Sequence, residues 1–287
     1  MTAPSYLQFP PGFRTQSVRN GDTTIHVRIG GAGSAVVMLH GFGETGDMWA
    51  PLAAAFCGKN TVVVPDLRGM GLSSHPPDGY DKKTQAGDVV RVLDELGIEQ
   101  AEVVSHDIGI MVGYALAALN PKRVTRLVIM EAFVPGVEHW DEIRCSPRLW
   151  HFNFNGPDVE RLVAGRERIY LDRFWNESSL DPASIDEETR EYYAQFYALP
   201  GAMHSAFSQF AAFAQDAIDN RILAARGKLE MPVLGIGSEK IYGSKVTDEL
   251  RFVAENVRGA VIERSGHWVM NEQPETTIAV IREFLAG

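Results

Sequence analysis

The 287-residue chain is 45% hydrophobic and 22% charged, a globular balance that excludes a disordered or collagen-like chain. Its formal net charge of −10 argues against nucleic acid or an anionic membrane surface as partner. Two cysteines, Cys57 and Cys145, exclude a disulfide framework, and no run approaches the ~18 apolar residues of a membrane span.

This length fits one large domain, or one core with an inserted subdomain, better than two independent domains. Residues 1–13 lack a cationic stretch followed by an apolar one, so a cytoplasmic protein is expected. Short apolar runs rich in β-branched residues recur at 24–29, 35–39, 61–64, 102–104, 126–130, 233–236 and 260–263. Near-continuous runs of this kind suit strands buried on both faces of a parallel sheet. Helical patterns lie between most of them. Residues 84–96 place Val89, Val90, Val92, Leu93 and Leu96 on one face, with Gly97 where a C-terminal cap belongs. Residues 109–119 are apolar nearly all round, as in a helix packed into a core, and Asn120-Pro121 ends it. Alternation of strand and helix predicts an α/β sheet with right-handed crossovers.

From residue 133 to 228 the rhythm breaks. No buried strand is evident there, and helical spacing appears at 159–170, 185–197 and 203–217. The organisation expected is an α/β core of residues 1–132 and 229–287 carrying a helical cap, 133–228.

The central motif is Val103-Val104-Ser105-His106-Asp107-Ile108-Gly109. A strand ends, a helix begins, and small residues stand two positions either side of Asp107. Such a turn lifts one side chain out of the sheet, where serine is the usual occupant. An aspartate between a strand and a helix is also a common N-cap, so the rest of the chain has to decide. Upstream, an apolar strand runs into His40-Gly41-Phe42-Gly43, a glycine-rich turn suited to donating backbone N–H groups to an oxyanion; the backbone N–H of Phe42 and that of Ile108, the residue after Asp107, are the candidates. Pro65-Asp66-Leu67-Arg68-Gly69 reads as a structural loop in which Asp66 and Arg68 fix the backbone. Downstream, Gly266-His267-Trp268 puts a histidine on the loop after the last strand. Two carboxylates are candidates to orient it: Glu131, ending the strand after the elbow helix, and Glu239, after the next strand. Either keeps the order nucleophile, acid, histidine. The histidines form no ligand-spaced cluster, so neither metal nor cofactor is expected.

Taken together, these motifs resemble the epoxide hydrolase and haloacetate dehalogenase branch of the α/β-hydrolase superfamily over nearly the whole chain. Trp150-His151-Phe152 and the segment from Pro200 to Asn220 are similar to bacterial epoxide hydrolases of the type that inhibits a host chloride channel. The resemblance implies that ionised Asp107 attacks a saturated carbon, because an epoxide or alkyl halide offers no carbonyl to a serine. The product is an alkyl ester of Asp107. Water activated by His267 then attacks that ester while Phe42 and Ile108 hold the oxyanion. The resemblance favours Glu131 over Glu239 and assigns His151 as a donor to the opening epoxide oxygen. Relatives pair that donor with a tyrosine, where this chain has Phe210, which cannot donate. Tyr170, Tyr192, Tyr193, Tyr197 and His204 are the substitutes considered. Gly43 stands where relatives carry proline, which is expected to loosen the loop.

The function so implied is hydrolysis of an epoxide to a diol. Haloacetate dehalogenation is the alternative, disfavoured because Ile108 replaces an arginine that would hold the substrate carboxylate; a non-catalytic ligand-binding member is the second. His40, His106, Trp150, Phe152, Phe210 and Trp268 are expected at the substrate pocket, and the many aromatics suggest a small apolar or aromatic substrate. A homodimer stays open.

Overall fold

The structure, a computed structural model, describes residues 2–287. Eight strands form one sheet: β1 (Arg14–Asn20), β2 (Thr23–Gly31), β3 (Ser34–Leu39), β4 (Asn60–Pro65), β5 (Ala101–His106), β6 (Val124–Met130), β7 (Val233–Ser238) and β8 (Val257–Ile262). Their order is β1-β2-β4-β3-β5-β6-β7-β8. β2 pairs antiparallel with β1 and β4, and every other pairing is parallel. Six of the apolar runs coincide with β2 to β7; the seventh, 260–263, overlaps the end of β8, which is an edge strand with Ile262 as its one buried residue rather than a strand buried on both faces. β1 escapes the sequence pattern because it is an edge strand with Val18 as its one buried residue, so its composition is mostly polar.

Helices supply the crossovers that parallel strands require. They are α1 (Ala50–Phe56), α2 (Lys82–Glu95), α3 (Ile108–Leu119), α4 (Trp140–Ile143), α5 (Pro157–Val163), α6 (Glu167–Ser178), α7 (Glu187–Tyr197), α8 (Ala202–Ala211), α9 (Phe213–Ala224), α10 (Lys245–Val253), α11 (Val269–Glu272) and α12 (Pro274–Ala286). α2 starts at Asp81, whose side chain accepts from Thr84 N at 2.9 Å. It stops at Gly97, φ +66°, where the amides of Gly97 and Ile98 bond back to Asp94 and Leu93, satisfying two of the orphan carbonyls of the last turn. α3 is buried from Ile108 to Ala117, which explains its lack of a polar face.

Residues 131–232 contain helices and no strand of the sheet. The predicted helix at 159–170 divides into α5 and α6 around Gly165, φ +74°, and that at 203–217 divides into α8 and α9 at Ala212. This segment is fastened to the sheet side by a buried polar cluster. Lys82, 1% exposed, donates through Nζ to Asp216 on α9 at 3.2 Å and to the Gln209 carbonyl on α8 at 3.2 Å. Gln209 in turn donates to the Arg68 carbonyl at 3.0 Å and accepts from Gln85 at 2.7 Å.

Sheet order also decides where chemistry can sit. The chain leaves β3 towards β4 on one side and continues through β5 on the other, so the carboxyl ends of β3 and β5 flank a topological switch point. Leu39 is in register with Ser105, which sets the loop 40–43 beside the turn at Asp107. The first of these loops is braced by Arg28, which bridges Asp47 at 2.8 Å and Asp66 at 2.8 Å; Asp66 also accepts from Gly46 N and Leu72 N. Arg68 does not fix backbone as expected: its guanidinium pairs bidentately with Asp88 on α2 at 2.8 Å.

Replacing Arg28 with methionine should strand two buried carboxylates and cost about 3–5 kcal/mol. The measurement is a thermal melt with circular dichroism. A midpoint equal to wild type would mean the bridge contributes nothing net.

Candidate active site

A single residue joins β5 to α3. Asp107 has φ +50° and ψ −124°, a conformation costly for a residue with a Cβ, about 1–3 kcal/mol. Two glycines make the turn geometrically possible. A Cβ on Gly109 would lie 2.3 Å from the Leu39 carbonyl oxygen, and one on Gly41 would lie 2.4 Å from Asp107 Cβ. Ser105, in a place where glycine is more frequent, fits by turning its hydroxyl into β6, donating to the Val128 carbonyl at 2.6 Å.

The Asp107 side chain does not cap its helix. Oδ1 instead accepts from the backbone N–H of Phe42 at 2.8 Å, and Oδ2 faces His267 Nε2 at 3.6 Å. Ile108 opens α3, so its N–H has no carbonyl one turn earlier in that helix. The other side of His267 meets Glu131: Nδ1 stands 3.5 Å from Oε2. Glu131 is wholly buried, its backbone held at φ +57°, and its Oε1 accepts from the Ser238 amide. That leaves Oε2 aimed at the imidazole. Glu239 lies apart. It is exposed and accepts from the Arg264 amide at 2.8 Å, so of the two carboxylates the fold brings Glu131 alone to His267.

Behind this row lies a buried layer. His106 is 0% exposed; its Nε2 bonds the His267 carbonyl at 2.9 Å and its Nδ1 is 3.5 Å from Glu44 Oε2. Burial alone would lower the His106 pKa, but the adjacent Glu44 carboxylate outweighs it and holds the pKa above the ordinary value. His40, also 0% exposed, spans two loops: Nδ1 donates to the Gly41 carbonyl and Nε2 accepts from Leu67 N, both at 2.9 Å. Burial lowers its pKa, in keeping with a neutral cross-link. Both histidines were expected at the pocket and are instead sealed beneath it, each 0% exposed and absent from the cavity wall.

The loop after β3 is held more firmly than the sequence suggests. Gly43 has φ +80°, its N–H donates to the Tyr197 hydroxyl at 2.7 Å, and its carbonyl accepts from Trp175 Nε1 at 3.3 Å. Proline could adopt neither that φ nor that donor role. The expectation of a loosened loop is therefore corrected: α6 and α7 grip both backbone groups of Gly43.

In front of Asp107 opens a cavity of about 600 Å³. Phe42, His151, Phe174, Phe210, His267 and Trp268 are on its wall, and so are Tyr242 and Arg148. Trp150 and Phe152, expected at the pocket, are not on that wall; Trp150 packs against Phe154, Tyr170 and Phe174, and Phe152 against Trp140 and Phe213. His151 is ringed by Phe152, Phe174 and Phe210 at centroid distances of 4.8 to 5.0 Å. Burial among these rings pushes its pKa down to about 4, so it is neutral near pH 7.

The five substitutes considered for the missing tyrosine at Phe210 do not reach the cavity wall. The Tyr192 hydroxyl donates to Asp47 and that of Tyr197 to the Glu44 carbonyl. Those of Tyr170 and Tyr193 are buried without a partner, and His204 bonds Glu160 and the Pro77 carbonyl. Tyr242 and Glu44 were not singled out in the sequence as site residues, and Tyr197, considered there as a donor to the epoxide oxygen, instead holds Gly43. Among the described residues, no group of three or more His, Cys, Asp or Glu side chains is arranged to hold a metal ion, and no helix is long and apolar enough to cross a membrane.

Comparison with known proteins agrees with this architecture. Residues 34–274 match the α/β hydrolase fold family. The chain is 32% identical to a soluble epoxide hydrolase of Corynebacterium sp. (strain C12), over 94% of this chain and 96% of that protein. It is 28% identical to a fluoroacetate dehalogenase of Burkholderia sp., over 96% and 94%. Among solved structures, wild-type Cfl2 from Burkholderia cenocepacia superposes with a TM-score of 0.90 at 32% identity, covering 96% of this chain and 98% of that one. A switch-point sheet of this order, with its single-residue elbow and matching relatives along almost the full length, assigns the chain: it belongs to the α/β-hydrolase fold family and is a hydrolase.

Proposed function

We propose that this hydrolase opens an epoxide to a vicinal diol through an alkyl ester of Asp107, with residues 133–228 acting as a cap over the site. The observation that carries the reading is the Asp107 carboxylate itself. It stands at the elbow, bonded by the Phe42 N–H rather than capping its helix, and faces the His267–Glu131 pair. A carboxylate so placed is a nucleophile for a saturated carbon.

In the first step an Asp107 oxygen bonds to an epoxide carbon as that carbon's C–O bond breaks, and the freed oxygen, hydrogen-bonded by His151, becomes on protonation the hydroxyl of a hydroxyalkyl ester. In the second, His267 Nε2 takes a proton from water as the water oxygen adds to the Asp107 ester carbonyl; the adduct then collapses, the alkoxy oxygen leaving with the proton from His267, which frees the diol and, on loss of one proton, the Asp107 carboxylate. The N–H groups of Phe42 and Ile108 hold the oxyanion. Glu131, through Nδ1, orients the ring and stabilises its charged form. Neutral His151 fits the first step, since an imidazole with one N–H still donates a hydrogen bond, and an uncharged ring does not repel the cation His267 becomes. The aromatic wall of Phe42, Phe174, Phe210 and Trp268 favours an apolar or aromatic substrate. Ile108 beside the nucleophile supplies no cation for a haloacid carboxylate, which sets this reading above dehalogenation.

Three outcomes are expected. A single turnover of styrene oxide in heavy-oxygen water should place label in the Asp107 carboxylate; label found solely in the diol would exclude the ester. His267→Gln should accumulate a covalent adduct visible by intact mass, with diol release down by about 10²–10⁴, whereas halide release from fluoroacetate without diol formation would favour dehalogenation. Glu131→Gln should slow ester hydrolysis by about 10²–10⁴ while Glu239→Gln stays within about twofold; equal losses in single-turnover assays would return the choice of acid to Glu239.

A further inference from the structure

Opening an epoxide leaves negative charge on an oxygen opposite the attacking carboxylate, and one neutral histidine is a modest donor for it. The cap positions considered above supply no second hydroxyl at the cavity. A different element does. Tyr242 lies on the loop between β7 and α10, on the sheet side of the molecule, and lines the same cavity as Asp107, His151 and His267.

Its hydroxyl has no hydrogen-bond partner among the described residues, yet it is not among the polar atoms sealed from solvent. The residue lines the cavity, and its hydroxyl is not spent on structure. Its ring is fixed by an edge contact with Phe133, centroids 4.5 Å apart at 64°. Its backbone is fixed too. The Gly243 amide bonds the Ser238 carbonyl at 2.8 Å, Lys245 N bonds the Tyr242 carbonyl at 3.0 Å, and a Cβ on Gly237 would stand 1.9 Å from the Gly243 carbonyl oxygen. The loop is packed so closely over the end of β7 that a side chain at 237 would displace it. Ser238, which ends β7 just before this loop, is the residue whose amide anchors Glu131. Burial, then the fields of Glu131 and Asp107, push the phenol well above its ordinary pKa, so it rests protonated and can donate.

We propose that Tyr242 is a catalytic residue that donates, together with His151, to the epoxide oxygen as Asp107 alkylates, replacing from the core the cap hydroxyl lost at Phe210. The inference rests on the epoxide reading above. As the Asp107 Oδ–carbon bond forms, the epoxide C–O electron pair moves to oxygen. That oxygen takes the Tyr242 proton, leaving a hydroxyalkyl ester and a phenolate. Ester hydrolysis by water returns the Asp107 carboxylate and releases the diol and one proton, which restores the phenol.

The test follows Asp107 ester formation by intact mass in the His267→Gln background with styrene oxide as probe, so that alkylation is read apart from hydrolysis. Adding Tyr242→Phe should slow ester accumulation at least about tenfold, while Tyr170→Phe, which removes a buried hydroxyl off the cavity wall, leaves it within about twofold. With His267 intact, decay of the preformed ester should proceed at the same rate with and without Tyr242→Phe. A melt by circular dichroism checks that the variants fold. If either does not, site-specific 3,5-difluorotyrosine at position 242 replaces it, and a downward shift in the alkaline limit of the alkylation rate is expected. Ester formation unaffected by Tyr242→Phe, or an alkaline limit unmoved by fluorination, overturns the role of Tyr242 alone. Absence of ester in His267→Gln with Tyr242 intact, and of diol from wild type, overturns the epoxide reading and this inference with it.

Discussion

Everything at the candidate site hangs on the one-residue turn between β5 and α3. With φ +50°, Asp107 cannot extend either the strand or the helix, so its side chain leaves the sheet instead of joining the backbone hydrogen bonding of α3. That geometry survives because its neighbours leave no relaxed alternative. Gly41 and Gly109 give the close approaches, the Asp107 amide is tied to the Met130 carbonyl at 3.1 Å, and α3 is buried in the core from its first residue. A strained residue persists where surrounding packing over-determines it. Here the packing is the apolar centre of the sheet.

The switch point converts this local strain into a site. Parallel neighbours β3, β5, β6 and β7 end side by side, so four loops from distant parts of the chain open onto the same edge. Two further positive-φ backbones, Glu131 at +57° and Gly43 at +80°, turn their residues inward there. Buried polar contacts then hold each loop from behind: Arg28 with Asp47 and Asp66, His40 between two turns, and Glu44 with His106 under His267. A buried ion pair is weak evidence for stability. These pairs are better understood as registering one loop against another.

Electrostatically, the histidines divide according to what packs beside them. His106, next to Glu44, has its pKa held up, while His40 and His151 are pushed down by burial. A neutral His151 on the wall of the cavity that holds Asp107 matches the proposed chemistry, which needs hydrogen-bond donation at that place. Burial lowers the His151 pKa and, with the fields of Glu131 and Asp107, raises that of the Tyr242 phenol, so both groups rest in their donor forms.

Much of this was legible in the residues alone. Buried on both faces, β3 to β7 had to be apolar runs, and Gly109 beyond the elbow had to be a glycine because a Cβ there would collide with the Leu39 and His40 carbonyls. The chain order of Phe42, Asp107, Glu131 and His267 followed from those local rules. Edge strand β1 was not legible, since one buried valine leaves no period to detect. Nor was the fate of His40, His106, Trp150 and Phe152. Each sits in or beside a motif, but whether a side chain faces a ligand depends on which distant residue takes its polar atoms or covers its ring. The choice of Glu131 over Glu239 beside His267, the grip of Tyr197 and Trp175 on Gly43, and the arrival of Tyr242 at the cavity are contacts between parts of the chain far apart in sequence. Sequence alone determined the period of burial and the local turns, because those are set by neighbours along the chain. Tertiary structure alone decided which side chains share the cavity, because that is set by sheet order and packing.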